Sequence, residues 1–204
     1  GRDLWKQAWG RRSWIQDIEW IANSSRQTCH LKADQLAKQG ESVQYSSALI
    51  VPSSGMKRVI LDCYPQCPSD RIRVMPWGAL PTTFSDSTPL REEFGVPANA
   101  KVILTMSRLS PEKGIDRLLK SLAENERDDV WLFVCGEAAF MKGEAYERKI
   151  RALAEKLKKI KVVFPGYVSG ERKRQFFALA NVFVFPSIHE SYGLTLMEAL
   201  AAGL

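Results

Sequence analysis

Lys101-Val102-Ile103-Leu104-Thr105-Met106-Ser107 is an apolar run of strand length. The loop Arg108-Leu109-Ser110-Pro111-Glu112-Lys113-Gly114 comes next, and the pattern over 114–124 then has helix length. The same unit recurs. Val130–Cys135 is a strand ending at Gly136. Glu144–Ile160 is an amphipathic helix with Ile150, Leu153, Leu157 and Ile160 on one face. Lys161–Phe164 is a strand, followed by Pro165-Gly166 and a helix over Gly170–Ala180. Val182–Phe185 is a strand closed by Pro186, and Gly193–Ala202 is a helix stopped by Gly203. Four alternations of strand and helix predict an α/β fold, a parallel sheet covered on both faces with right-handed crossovers. In such sheets ligands bind beyond the carboxyl ends of the strands. The loops after Ser107, Cys135, Phe164 and Phe185 are therefore the candidates for chemistry.

Upstream the pattern is less regular. Residues from about Trp5 to Lys38 read as mostly helical, with Trp5 and Trp9 one turn apart. Ser42–Ser47 is polar and reads as a loop. Ala48–Val51 is a short apolar strand, followed by Pro52-Ser53-Ser54-Gly55, a turn with a natural helix N-cap. Met56–Cys63 suits a short helix, which Tyr64-Pro65-Gln66-Cys67-Pro68 breaks. Arg71–Pro76 alternates like a strand and leads to Trp77-Gly78. Ala79–Pro89, rich in Pro, Thr and Ser, reads as a linker. Leu90–Phe94 is a short helix closed by Gly95.

The 204 residues, 45% of them apolar, suffice for one full core, or for one domain and part of another. No apolar run of 18 residues occurs, so no membrane-spanning helix is expected. The net charge of +6 is uneven: Lys142–Arg174 holds 11 basic against 4 acidic residues. That excess suits either an anionic partner such as a membrane surface, or the solvated faces of two helices. Cys63 and Cys67 form one C-x-x-x-C, far in sequence from His30 and His189, and Cys29 and Cys135 stand apart from that pair. No metal site is implied. Four such cysteines fit a reduced, cytoplasmic protein more simply than a disulfide between Cys63 and Cys67. The chain starts without Met and ends just after its last helix, which reads as truncation at both ends.

Pro186-Ser187-Ile188-His189-Glu190-Ser191-Tyr192-Gly193-Leu194-Thr195-Leu196-Met197-Glu198 joins a strand to a helix. Glu190 stands in the loop, and Glu198 lies roughly 7 Å along the helix axis. Gly193 permits close approach of a ligand to the backbone. The N–H groups of Leu194 and Thr195 open a helix N-terminus, where phosphate binds well. In the first loop, Arg108 offers a planar fork of donors and Lys113 a mobile point charge. Together they can neutralise a diphosphate. Gly136, after the second strand, serves a turn. Tyr167 and Val168, after the third, either pack on a ligand's ring or cover the core.

This pattern resembles the retaining glycosyltransferases of the GT-B fold, of the group-1 type (glycosyltransferase family 4), over roughly residues 40–204. The resemblance rests on the two glutamates with seven residues between them, and on the Arg–Lys loop. It implies two Rossmann-like domains. Residues 1–78 would be the tail of the acceptor-side domain, 79–100 a linker, and 101–204 an incomplete nucleotide-sugar-binding domain. It implies transfer of a sugar from a nucleotide-diphosphate sugar, UDP- or GDP-linked, with retained anomeric configuration and no cofactor. Arg108, Lys113 and Glu190 would be the catalytic set. Glu190 would hold the sugar and Glu198 the ribose, while Tyr167 and Val168 would line the base. Gly136, Gly193, Leu194 and Thr195 would complete the donor site. Many relatives carry glycine where this chain has Ala138, which argues against very close phosphate approach there. The family's N-terminal Gly-rich loop and catalytic-region His have no counterpart here. The acceptor would be a sugar, a lipid-linked molecule or a small molecule. The site would be cytoplasmic or at the membrane's inner face, with peripheral membrane contact as one option. Alternatives are a nucleotide-sugar epimerase or synthase of the same fold, and a nucleotide-binding module without catalysis. An NAD-dependent enzyme lacks its G-x-G-x-x-G turn here. A nucleic-acid partner is not expected, because the basic helices carry no interleaved aromatics.

Overall fold

The computed structural model describes residues 40–79, 85–138, 140–188, 190 and 192–204. The expected helix over 5–38, Cys29, His30, His189 and linker residues 80–84 lie outside them. The chain divides into two units, Gly1–Trp77 and Gly78–Leu204.

In the first unit, β1 (Leu49–Val51) and β2 (Ile72–Val74) pair in parallel, with Ile50 opposite Arg73. Helix α1 (Ser54–Cys63) lies between them in sequence, and the Ser53 hydroxyl caps it by accepting from the Met56 N–H at 3.1 Å. Val43, Val51, Cys67 and Ile72 form a small core. Residues 40–45 are helical, where the polarity of 42–47 predicts a loop. Burial of Val43 overrides that polarity, and the Arg71 guanidinium donates to the carbonyls of Val43 and Gln44 at this helix's end. No disulfide joins Cys63 to Cys67.

The second unit opens with α2 (Thr88–Phe94), two residues longer at its start than the expected Leu90–Phe94, where Asp86 accepts from the Thr88 N–H at 2.9 Å. Strands β3 (Lys101–Met106), β4 (Val130–Cys135), β5 (Lys161–Gly166) and β6 (Val182–Phe183) then form a wholly parallel sheet in the order β5-β4-β3-β6. Alternation along the strands builds two cores. Val102, Leu104, Met106, Phe133 and Cys135 face one way, against Phe176, Phe177 and Leu179 of α5 (Gly170–Leu179) and Ala199 of α6 (Leu194–Ala201). Val130, Leu132 and Val134 face the other, against Ile115 and Leu119 of α3 (Ile115–Ala123) and Tyr146 and Ile150 of α4 (Phe140–Ala154). Both faces are buried, so these strands read as continuous apolar runs.

Of the boundaries that differ from the sequence reading, three have a local reason. Helix α4 ends at Ala154, not Ile160. The Glu126 carboxylate accepts from the N–H groups of Lys158 and Lys159, both at 2.6 Å, and ends the helix, while Leu157 and Ile160 stay in the core. Strand β5 runs through Pro165 to Gly166, because it is an edge strand with a bulge opposite Phe133 and Cys135. A proline is tolerated there, where no ladder donor is needed. Strand β6 stops at Phe183. One further bond, from the Val184 N–H to the Leu104 carbonyl at 2.8 Å, ends the ladder, and Pro186 has no N–H to continue it.

The chain builds outward from β3 to β4 and β5, then returns to lay β6 on the other side of β3. That reversal opens a crevice at the carboxyl ends of the strands, where such folds bind ligands.

Candidate active site

A cleft of about 830 Å³ lies at this end of the sheet. The residues just beyond each strand build its wall: Ser107 and Arg108 after β3, Gly136 to Ala138 after β4, and Tyr167 to Gly170 after β5. Lys173, Arg174 and Phe177 of α5 and Leu194, Thr195 and Glu198 of α6 close it. The volume suits a ligand of nucleotide-sugar size.

Of the residues singled out in sequence, seven line this cleft: Arg108, Gly136, Tyr167, Val168, Leu194, Thr195 and Glu198. Arg108 is exposed, and no carboxylate pairs with it among the described residues. Tyr167 is 69% exposed, so it does not cover the core. Val168 does: it is buried among Met106, Cys135 and Phe177 and reaches the cleft only as part of its floor. Leu194 and Thr195 open α6, so their N–H groups have no acceptor within the helix.

Lys113, Glu190 and Gly193 are not in the wall. The Lys113 ammonium forms an ion pair with Glu190 Oε1, and the Ser187 hydroxyl donates to the same oxygen at 3.1 Å. Lys113 is thus held by Glu190, whereas no carboxylate among the described residues pairs with Arg108. The two loops that carry the pair are joined again by the Ile188 N–H, which donates to the Glu112 carbonyl at 2.8 Å. Gly136, expected to serve a turn, and Gly193, expected to admit a ligand, also meet the chain itself closely. A Cβ on Gly136 would overlap the Ser107 carbonyl oxygen, and one on Gly193 would come 3.3 Å from the Phe185 ring. Both residues let the chain approach itself.

Lys173 is not legible in the sequence as a site residue. Its Nζ stands 2.5 Å from Glu198 Oε2, inside the cleft wall. It sits in the run Arg172-Lys173-Arg174, and each residue faces a different acid because successive helical residues point about 100° apart. Arg172 forks onto Glu93 at 2.8 and 2.7 Å, Lys173 meets Glu198, and Arg174 pairs with Glu171. Only the helical phase separates Lys173 from its neighbours. Below the cleft, burial pushes the Cys135 thiol above its ordinary range, so it stays protonated.

The fold is therefore α/β with parallel sheets, of the GT-B glycosyltransferase type, with its cleft at the strand-order reversal. The chain belongs to the group 1 glycosyl transferases, whose family pattern matches residues 86–204. It is 28% identical over 168 residues to an uncharacterised glycosyltransferase of Methanocaldococcus jannaschii, covering 78% of this chain and 41% of that protein. It is 34% identical over 155 residues to the D-inositol 3-phosphate glycosyltransferase of Acidothermus cellulolyticus, covering 72% of this chain and 34% of that one. The chain thus spans less than half the length of these relatives. Among solved structures it resembles Anabaena HepE in complex with UDP and glucose, with a TM-score of 0.69 at 23% identity over 79% of this chain and 44% of the other.

Proposed function

We propose that the chain is the nucleotide-sugar-binding part of a retaining glycosyltransferase of family 4, taking a UDP- or GDP-sugar as donor. One observation carries this: Arg108, the open N-terminus of α6 and Glu198 line a single cleft. They offer, in that order, a cation for a diphosphate, N–H donors for its oxygens, and a carboxylate for ribose hydroxyls. The exposed Tyr167 lies in the same wall and suits a flat base. Donor type is supported by the UDP and glucose bound to the Anabaena neighbour.

The chemistry is positioning and charge stabilisation. As the sugar leaves the diphosphate, negative charge grows on the phosphate oxygens. Arg108 and the Leu194 and Thr195 N–H groups meet it in fixed geometry. Glu190, steadied by Lys113 and Ser187, lies in the loop leading into α6 and is assigned to the donor sugar. Residues 1–78 are assigned to the tail of an acceptor-side domain, 79–100 to the linker and 101–204 to the donor domain. The acceptor is a sugar, a lipid-linked molecule or a small molecule, met in the cytoplasm or at the membrane's inner face. On its own the chain binds nucleotide diphosphate weakly and transfers no sugar.

The test is the melting curve with UDP, GDP, ADP or NAD, beside Arg108→Ala. At a hundredfold excess over Kd, binding adds about 2.7 kcal/mol. That raises Tm by roughly 5–10 °C in a chain of this size. A shift with one nucleotide diphosphate, lost in Arg108→Ala, is expected and names the base. A shift with NAD alone refutes the reading.

A further inference from the structure

We infer that Lys173 is a positioning residue for Glu198, and that the pair together makes the cleft selective for a ribose carrying both its hydroxyls. This rests on the assignment of Glu198 to the ribose. Lys173 lies in the second turn of α5 and Glu198 in the second turn of α6, and both face the cleft. Their ion pair is made at one oxygen only: Lys173 Nζ is 2.5 Å from Glu198 Oε2. Glu198 Oε1 takes no hydrogen bond from the described residues. The carboxylate is therefore held at one end and open at the other.

The geometry has two consequences. A glutamate on a helix surface has three rotatable bonds, and fixing them on ligand arrival costs side-chain entropy. The Lys173 contact fixes them before the ligand arrives. The pair is also partly shielded, at 24% and 33% side-chain exposure, so it is less screened than a surface pair. The Lys173 charge offsets that of Glu198 in a cleft that must admit a diphosphate. Lys173 is already engaged, while Arg108 has no carboxylate partner among the described residues. Lys173 thus acts through Glu198, and the diphosphate falls to Arg108.

The experiment is calorimetric titration of the full chain with UDP, GDP and their 2′,3′-dideoxy counterparts. It compares the parent with Lys173→Met, Lys173→Arg and Glu198→Gln. A hydrogen bond to a charged group predicts that the parent binds the ribose form at least about tenfold more tightly than the dideoxy form. Lys173→Met is expected to reduce that ratio to under about threefold, through a larger loss of affinity for the ribose form than for the dideoxy form. Lys173→Arg keeps the cation and is expected to restore most of the ratio. Glu198→Gln is expected to behave like Lys173→Met. If Lys173→Met weakens both forms equally, Lys173 contacts the diphosphate and the inference is wrong. If the ratio survives in Lys173→Met, the residue is merely structural and the inference is also wrong, with the Glu198 assignment intact. A parent that binds nucleotide without preferring ribose overturns the Glu198 assignment itself, and this inference with it.

Discussion

Gly114→Ala separates two costs that usually come together. Gly114 has φ +65° and lies between the short turn Pro111–Lys113 and α3. A Cβ there would overlap the Pro186 carbonyl oxygen, inside van der Waals contact by roughly 1 Å. Gly95, which ends α2, has almost the same backbone at φ +67°, and nothing lies within 4 Å of its Cβ position. Gly95→Ala therefore bears only the left-handed backbone cost, about 1–2 kcal/mol. Gly114→Ala bears that cost and also forces the loop after β3 away from the loop after β6. The hydrogen bond from the Ile188 N–H to the Glu112 carbonyl is lost, at about 0.5–1.5 kcal/mol. The Lys113–Glu190 pair, mostly shielded, adds about 1 kcal/mol. The expected gap between the two variants is about 2 kcal/mol, read from urea midpoints with equal slopes. The same geometry sets the functional arm. Glu190 moves with its loop, whereas Arg108 is anchored at the far end of the loop after β3, where the Leu109 N–H donates to the Glu137 carbonyl at 2.8 Å, and Glu198 sits on α6. Gly114→Ala should keep its affinity for UDP and lose the increment that UDP-glucose gains over UDP. Equal destabilisation of the two variants would refute the argument, because the overlap with Pro186 would then cost nothing.

Arg108→Ala should lower affinity for UDP about tenfold or more and leave uridine unaffected, since the side chain is assigned to phosphate alone; calorimetry with both ligands reads the difference. Tyr146→Phe removes a buried hydroxyl that donates to Asp116 Oδ1 at 2.9 Å and accepts from the Asp116 N–H at 3.1 Å. It should cost about 1–2 kcal/mol in chemical denaturation, with no change in nucleotide binding. Burial pushes the Asp116 carboxyl up, but hydrogen bonds from Lys149 and Tyr146 outweigh it and hold the group below its ordinary range. A lowered folded value gives stability that is present above the unfolded pKa and lost as pH falls through the folded one. The Tm should stay flat from neutral pH to about 5 and fall below about 4, less steeply in Asp116→Asn.

A feature is legible in the sequence where its cause is local. Strands β3 and β4 read to within a residue because burial on both faces leaves no polar interruption. The end of α4 does not, because Leu157 and Ile160 keep the helical spacing while Glu126, far upstream, captures the next two N–H groups. Arg108 and Glu198 stand out because each lies at a fixed distance after a strand. Their surroundings are hidden, since no pattern along the chain connects Lys113 with Glu190 or Lys173 with Glu198, 77 and 25 residues apart.

Those hidden pairings change how the glutamates with seven residues between them must be understood. Read alone, the spacing offers two carboxylates to one ligand, which would repel the diphosphate the same ligand carries. In the folded chain each carboxylate is met by a lysine from an earlier loop or helix. The two glutamates are thus close to neutralised by their lysines, and Arg108 has no carboxylate partner among the described residues, which is what its proposed role on a diphosphate requires. The motif is therefore incomplete as two residues. Its physical unit is two ion pairs and one arginine, and that unit exists only once the sheet has brought the ends of β3, β5 and β6 together.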